Sequence, residues 1–209
     1  MYEAEATADM VMLTGQRNNS FDRVERHTST SASEPGLPAV ETEAARIVRT
    51  VLDGDRNSFG RLYEMYAPLV HGVLLARMPR SEVEDTVQEI FLHALKKLHT
   101  LRDANAFGPW IAMIARNRAV DFHRRSQETT ELTEDLRSRD SSLSRAEEIL
   151  AVIRQLPDAY HETLVLRLVE GMTGPEIALR TGLTAASVRV NLHRGMKLLR
   201  SRLGFEEKL

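Results

Sequence analysis

Between residues 173 and 203 the chain carries Arg180, Arg189, Arg194, Lys197, Arg200 and Arg202 against a single acid, Glu176. A local basic excess of this kind attracts phosphate. The whole chain has a formal net charge of −2, so the excess exists only because acids are segregated into the first 44 residues and the middle. The basic side chains are also punctuated as two helices and a turn. Thr173-Gly174-Pro175-Glu176 opens a short helix, Gly182 breaks it, and Thr184 is an N-cap for a longer one. That spacing suits laying a second helix in a DNA major groove. Leu183, Val188, Leu192, Leu198 and Leu199 are placed to anchor the helix pair. Ser187, Asn191 and Arg194 then face base edges or nearby phosphates, and Arg189, Lys197 and Arg200 mainly phosphates.

Two further constellations precede this one. Asp85, Gln88, Glu89 and Leu92 follow i, i+3, i+4, i+7 spacing and so share one face of a helix. The opposite face, Val83, Val87, Ile90, Phe91, Ala94 and Leu98, is an ordinary core stripe. A leucine centred in acids and amides has no use in the chain's own core and suits another protein; a solvated face with one exposed leucine is the plainer alternative. Asp85, Glu89 and His93, at i, i+4, i+8, have the types to gather a metal but no fourth ligand at matching spacing, so neither a metal nor a cofactor is expected. No phosphate-cradling glycine loop or G-x-S-x-G nucleophile motif occurs. In the third constellation Trp110, Ile111, Ile114, Ala115, Val120 and Phe122 interleave with Arg116, Asn117, Arg118, Arg124 and Arg125. Arginines among aromatics suit unstacked single-stranded DNA, although Trp110 itself reads more readily as core. Asp121 is spaced to pair with Arg118 or Arg125.

The elements that must position these residues are all helical. Apolar stripes predict helices over 40–54, 56–78, 82–98 and 107–125, with Pro68 as a potential kink and Ser81-Glu82-Val83-Glu84 as a capping box. Residues 1–38, rich in Ser, Thr, Glu and Pro, read as a disordered tail, and 126–144 as an acidic linker. The expected architecture is all-α, with one small helical domain over 39–125 and a second over 145–209. The 209-residue chain has no cysteine, which excludes disulfides and thiolate metal sites. It has no apolar run approaching the roughly 20 residues that span a bilayer, and its acidic N-terminus is no secretory signal, so a cytoplasmic protein is expected.

Four stretches in order resemble a known family. Residues 83–91 (Val-Glu-Asp-Thr-Val-Gln-Glu-Ile-Phe) are similar to the D-x-x-Q-E-x-F helix of sigma region 2, and residues 107–122 to the helix that follows it there. Leu156-Pro157 with residues 171–178 resembles the opening of sigma region 4, and residues 187–195 its recognition helix. Two such domains with no third between them resemble the extracytoplasmic-function (ECF) group of bacterial RNA polymerase sigma factors. The resemblance implies a non-enzymatic protein that joins core RNA polymerase and directs it to promoter DNA, with an anti-sigma factor as a further partner. Asp85, Gln88, Glu89 and Leu92 would dock on polymerase. Asn105, Phe107, Trp110, Arg116, Asn117, Arg124 and Arg125 would read the minus-ten element, and Thr184, Ser187, Arg189, Asn191, Arg194 and Lys197 the minus-thirty-five element. Val190 and Asn191 stand where the family usually has a small polar residue and an arginine, and His161 where an arginine is frequent, which implies weaker DNA-backbone contacts there. A stand-alone helix-turn-helix regulator is the alternative, and it leaves the Asp85 face and the arginine-rich helix without a role.

Overall fold

The computed structural model describes residues 41–130 and 145–204, with side chains described up to residue 125 in the first segment; the tail over 1–38 and most of the acidic linker fall outside the described residues. The described chain is all-α. Its helices are α1 (Glu43–Leu52), α2 (Phe59–Leu75), α3 (Val83–Lys97), α4 (Phe107–Thr130), α5 (Arg145–Arg154), α6 (Asp158–Leu168), α7 (Gly174–Thr181) and α8 (Ala185–Arg202).

Sequence periodicity explains the front half, α1–α4. The Thr42 hydroxyl caps α1 by accepting the Ala45 N–H at 3.1 Å, and the stripe Ala44, Ile47, Val48 and Val51 is buried. Helix α2 runs unbroken through Pro68, which sits on an exposed position, while Phe59, Leu62, Leu69, Val70, Val73 and Leu74 fill the core. The expected capping box at Ser81 does not form. Pro79 turns the chain into a 3-10 turn over Arg80–Glu82, so Ser81 falls inside the turn and Glu82 takes the N-cap position with no side-chain bond. Beyond it, the α3 stripe is buried as expected, and α4 adds Phe107, Trp110, Ile111, Ile114, Ala115 and Ala119. Each large apolar side chain removed from water contributes about 1.5–3 kcal/mol before chain entropy is subtracted, so these stripes fix the helix orientations.

The rear half, α5–α8, is smaller. Leu150 and Ile153 of α5, Leu164, Val165 and Leu166 of α6, Ile177 of α7, and Val188 and Leu199 of α8 are buried. The two halves are not independent beads: a single contiguous apolar core runs through both. Helix α2 packs on α6, and α4 on α7. Gly72 allows the first approach, because a Cβ there would lie 2.6 Å from Leu166 Cδ2 and 2.9 Å from Glu170 Cγ. Nothing in the sequence reading anticipates this closure.

Candidate nucleic-acid interface

Helices α7 and α8 are set by local capping. The Thr173 hydroxyl accepts the Glu176 N–H at 3.4 Å, and a Glu176 carboxylate oxygen accepts the Thr173 N–H at 2.8 Å and its hydroxyl at 2.7 Å. These bonds hold the Glu176 carboxyl below the usual carboxylate range. The one acid of the basic stretch is therefore spent on the cap. Gly182 ends α7 with φ +76°, the left-handed conformation that glycine takes without a Cβ clash. Thr184 then caps α8 by accepting the Ser187 N–H at 3.1 Å, with the two hydroxyls 2.8 Å apart.

On α8, Val188 and Leu199 are buried and Leu192 is half-buried, with Leu183 half-buried just before the helix. Leu198, expected among the anchors, is instead 38% exposed, about a quarter-turn off the stripe of Leu199 and Val188. Thr184, Ser187, Arg189, Arg194 and Lys197 are exposed and Asn191 is half-buried, so all six expected minus-thirty-five residues lie at or near one solvent-facing surface.

Helix α3 presents its second face outward. Asp85, Gln88, Glu89 and Leu92 are all exposed, Leu92 at 61%. The Glu89 carboxylate accepts from the Arg118 guanidinium of α4. Among the described residues no group of three or more His, Cys, Asp or Glu side chains is arranged to hold a metal ion.

The arginine-rich helix is less uniform than its sequence. Phe107 is fully buried and Trp110 is 8% exposed; the Phe107 ring packs between Tyr66 and Trp110, with ring centroids 5.0 and 5.8 Å away. Each ring sits where its large apolar area is best buried, as part of the core beneath this surface. Asn105 is half-buried, and its side-chain oxygen accepts from the Thr42 N–H and hydroxyl, both at 3.1 Å. Asp121 lies 3.8 Å from Arg124, and Arg118 is turned toward Glu89 of α3. Asn117 is half-buried, and Arg124 and Arg125 are exposed.

Arg116 is the largest departure. Its guanidinium donates Nε to Glu162 Oε2 at 2.9 Å and Nη2 to Glu162 Oε1 at 2.7 Å, a two-pronged bond to α6 of the rear half. Arg77, just beyond α2, donates Nη1 to the same carboxylate at 3.1 Å. Burial pushes the Glu162 carboxyl up, but the bonds and charge of Arg116, then of Arg77, outweigh it and bring it below its ordinary value. Burial likewise works against the charge on Arg116, and Glu162 more than restores it. Three more polar ties cross between the halves. His71 Nδ1 lies 2.6 Å from Glu170 Oε1, and Arg154 Nη2 donates to the Leu75 and Met78 carbonyls at 2.8 and 2.6 Å, at the end of α2 where helix carbonyls lack partners. Arg180 Nη1 donates to the Met65 carbonyl at 3.0 Å.

His161 also departs from expectation. It is buried, with Nε2 2.5 Å from the Leu156 carbonyl, so it braces the fold internally. Sequence reasoning missed Glu162, Arg77, His71 and Glu170 entirely. The available signal was a charged or titratable residue set within an apolar run: His71 between Val70 and Val73, Glu162 before Leu164-Val165-Leu166.

Comparison with known proteins agrees with this architecture. The profile of sigma-70 region 2 matches residues 62–129, and that of sigma-70 region 4 matches residues 146–199. The RNA polymerase sigma factor CarQ of Myxococcus xanthus is 33% identical over 162 residues, covering 73% of this chain and 92% of CarQ. The ECF RNA polymerase sigma factor BldN of Streptomyces coelicolor is 29% identical over 179 residues, covering 78% of this chain and 67% of BldN. Among solved structures, CnrH in complex with the cytosolic domain of CnrY aligns with a TM-score of 0.57 at 21% identity, over 78% of this chain and 99% of CnrH. The sigma factor RpoE of Bartonella quintana, in complex with the anti-sigma factor NepR, aligns with a TM-score of 0.52 at 14% identity, over 71% of this chain and 98% of RpoE. Identities this low speak for the fold alone. The region order and the CarQ match settle the family: this chain is an RNA polymerase sigma factor of the ECF group, and so a promoter-directing transcription factor.

Proposed function

We propose that the chain binds core RNA polymerase through the outward face of α3 and directs it to promoters, reading the minus-ten element with the front half and the minus-thirty-five element with α8. The observation that carries this reading is the pairing of two exposed surfaces of different chemistry. One is an acid–amide patch with Leu92 at its centre, inside the sigma region 2 match; the other is a capped basic helix inside the region 4 match. A protruding leucine ringed by polar groups is the anatomy of a protein–protein anchor, and a basic helix after a tight turn is that of a major-groove reader. For minus-ten DNA, Arg124, Arg125, Asn117 and Asn105 are the accessible candidates; Phe107 and Trp110 shape the surface from beneath. Melting the duplex costs a few kcal/mol per flipped base, which stacking and pocket contacts must offset.

An anti-sigma factor is the remaining proposed partner, supported by membership of the ECF group. The protein acts in the cytoplasm, where its template is; none of the described helices is long and apolar enough to cross a membrane.

Capture by purified core polymerase in the absence of DNA tests the docking face. The native chain is expected to co-elute with core, and Leu92→Asp to weaken that affinity by about 2 kcal/mol, the scale of a buried interface anchor. A native chain that never co-elutes with core, yet binds a DNA site alone, would identify a stand-alone regulator.

A further inference from the structure

Helix α8 carries one outward residue that neither core packing nor phosphate binding uses. A helix turns about 100° per residue, so Val190 lies about 200° around from Val188, nearly opposite the buried ridge of Val188, Gly195 and Leu199. It is 40% exposed there. Ala186, one turn earlier and also exposed, continues the apolar line, and Lys197, two turns later, ends it. Ser187 and Arg194 flank that line on one side, Arg189 and Arg200 on the other, and all four are exposed. No acid occurs anywhere on α8. The outward face is thus an apolar centre inside a wholly basic and polar rim, which suits a polyanion. Single exposed apolar side chains are ordinary on protein surfaces. What sets Val190 apart is its place, because a helix entering a groove along its basic side points this residue at the groove floor.

We infer that Val190, with Ala186 beside it, reads a thymine methyl, and so fixes a thymine within the minus-thirty-five element. This rests on the promoter-reading role proposed above for α8. The early turns of a recognition helix are the ones that reach base edges, and Val190 sits in the second turn of α8. The floor of the major groove offers one apolar group, the C5-methyl of thymine; its other features are hydrogen-bond donors and acceptors. A valine laid over those donors and acceptors would leave them unpaired and dry, which is costly. Over a thymine methyl it removes apolar surface from water on both sides of the contact. Its branched side chain has few rotamers to lose on docking. Ser187, Asn191 and Arg194 supply polar readout from one flank of the same face, and the rim cations hold the helix in register. Val190 adds a requirement for thymine that no phosphate contact can supply.

Deoxyuridine tests the contact, because it removes the thymine methyl and leaves every pairing group of the base in place. The full chain, assembled with core polymerase, first selects its minus-thirty-five sequence from randomised duplex. Each thymine of the selected element, on either strand, is then replaced singly by deoxyuridine. At one position the native holoenzyme should lose about fourfold in affinity, the worth of one buried methyl. Val190→Ser should bind the thymine and deoxyuridine duplexes alike at that position, and its own selected sequences should relax there. Arg194→Ala should weaken binding to both duplexes and leave their ratio standing. A selected element in which no thymine is methyl-sensitive overturns the inference, as does a methyl effect that Val190→Ser retains. Weaker capture of Val190→Ser by core polymerase, with no thymine preference in the native chain, would place Val190 against protein instead. A holoenzyme that selects no minus-thirty-five sequence fails differently: it removes α8 from promoter reading, and this inference with it.

Discussion

Arg116 and Arg194 are the same residue type in helices both expected to meet DNA, yet the structure puts them to opposite uses. Arg116 is half-buried, bidentate on Glu162, and shielded from solvent by the contact between the halves. Arg194 is exposed on α8, beyond the buried ridge of Val188, Gly195 and Leu199. The difference lies in what surrounds each guanidinium, and it decides what removal costs. A partly desolvated ion pair is expensive to break from one side, because the surviving charge has lost its water as well as its partner. An exposed arginine gives up only the contact it makes with its ligand. Arg116 is thus held inside the fold, while Arg194 remains open to solvent and to the proposed DNA contact.

Three substitutions sharpen this contrast. Glu162→Ala should have the largest effect. It leaves Arg116 and Arg77 without their shared carboxylate, a loss of up to about 3–5 kcal/mol if the halves stay closed, and less if they part and the arginines regain water. Denaturant unfolding of the full chain should therefore show reduced stability or a second, earlier transition; a single unshifted transition would mean that the ion-pair cluster contributes nothing. Arg194→Ala should leave stability alone and weaken binding to minus-thirty-five duplex by about 1–3 kcal/mol at matched salt. Equal affinity in native and variant chains would remove α8 from the DNA-reading role.

The smallest effect concerns pH. The hydrogen bond to Glu170 holds His71 above its ordinary value against the opposing pull of burial; the Glu170 and Glu84 charges add to the rise, and Arg80 works against it. Those are the groups that face His71: Glu170 just beyond α6, Glu84 on α3 and Arg80 in the preceding turn. A raised histidine contributes stability fully below its unfolded value of about 6.5 and loses it as pH climbs through the higher folded value. The Glu162 carboxyl has the opposite sign, its contribution being lost only as pH falls through its lowered folded value. The clasp of His71 on Glu170 should therefore loosen as pH rises above about 6.5, and His71→Gln should abolish that slope. A native chain whose interhalf distance, followed by fluorescence energy transfer, ignores pH across that range would exclude His71 as a clasp.

The same contrast explains what was legible in the sequence. The α7–α8 turn was readable because every device in it is local. Thr173 caps Glu176 three residues on, Gly182 is a left-handed stop, and Thr184 caps Ser187. The two faces of α3 were readable from periodicity, since Val83 through Leu98 had to find a core and Leu92 could not join them. The clasp was not readable, because its partners lie 46, 85 and 99 residues apart. No local rule links Arg116 to Glu162; the approach follows from how α2 and α6 meet over Gly72. The errors have the same origin. Ser81 looked like a cap until Pro79 placed it inside a turn. His161 looked like a surface position until α6 was packed on both sides.

Run-off transcription with purified core polymerase on genomic fragments, followed by mapping of the start sites, tests the promoter-directing role most directly. The account predicts that adding this chain makes core start at a small, reproducible set of sites sharing elements near minus ten and minus thirty-five, and that Arg194→Ala depletes those starts. Transcription no more selective with the chain than without it would contradict the account at its centre.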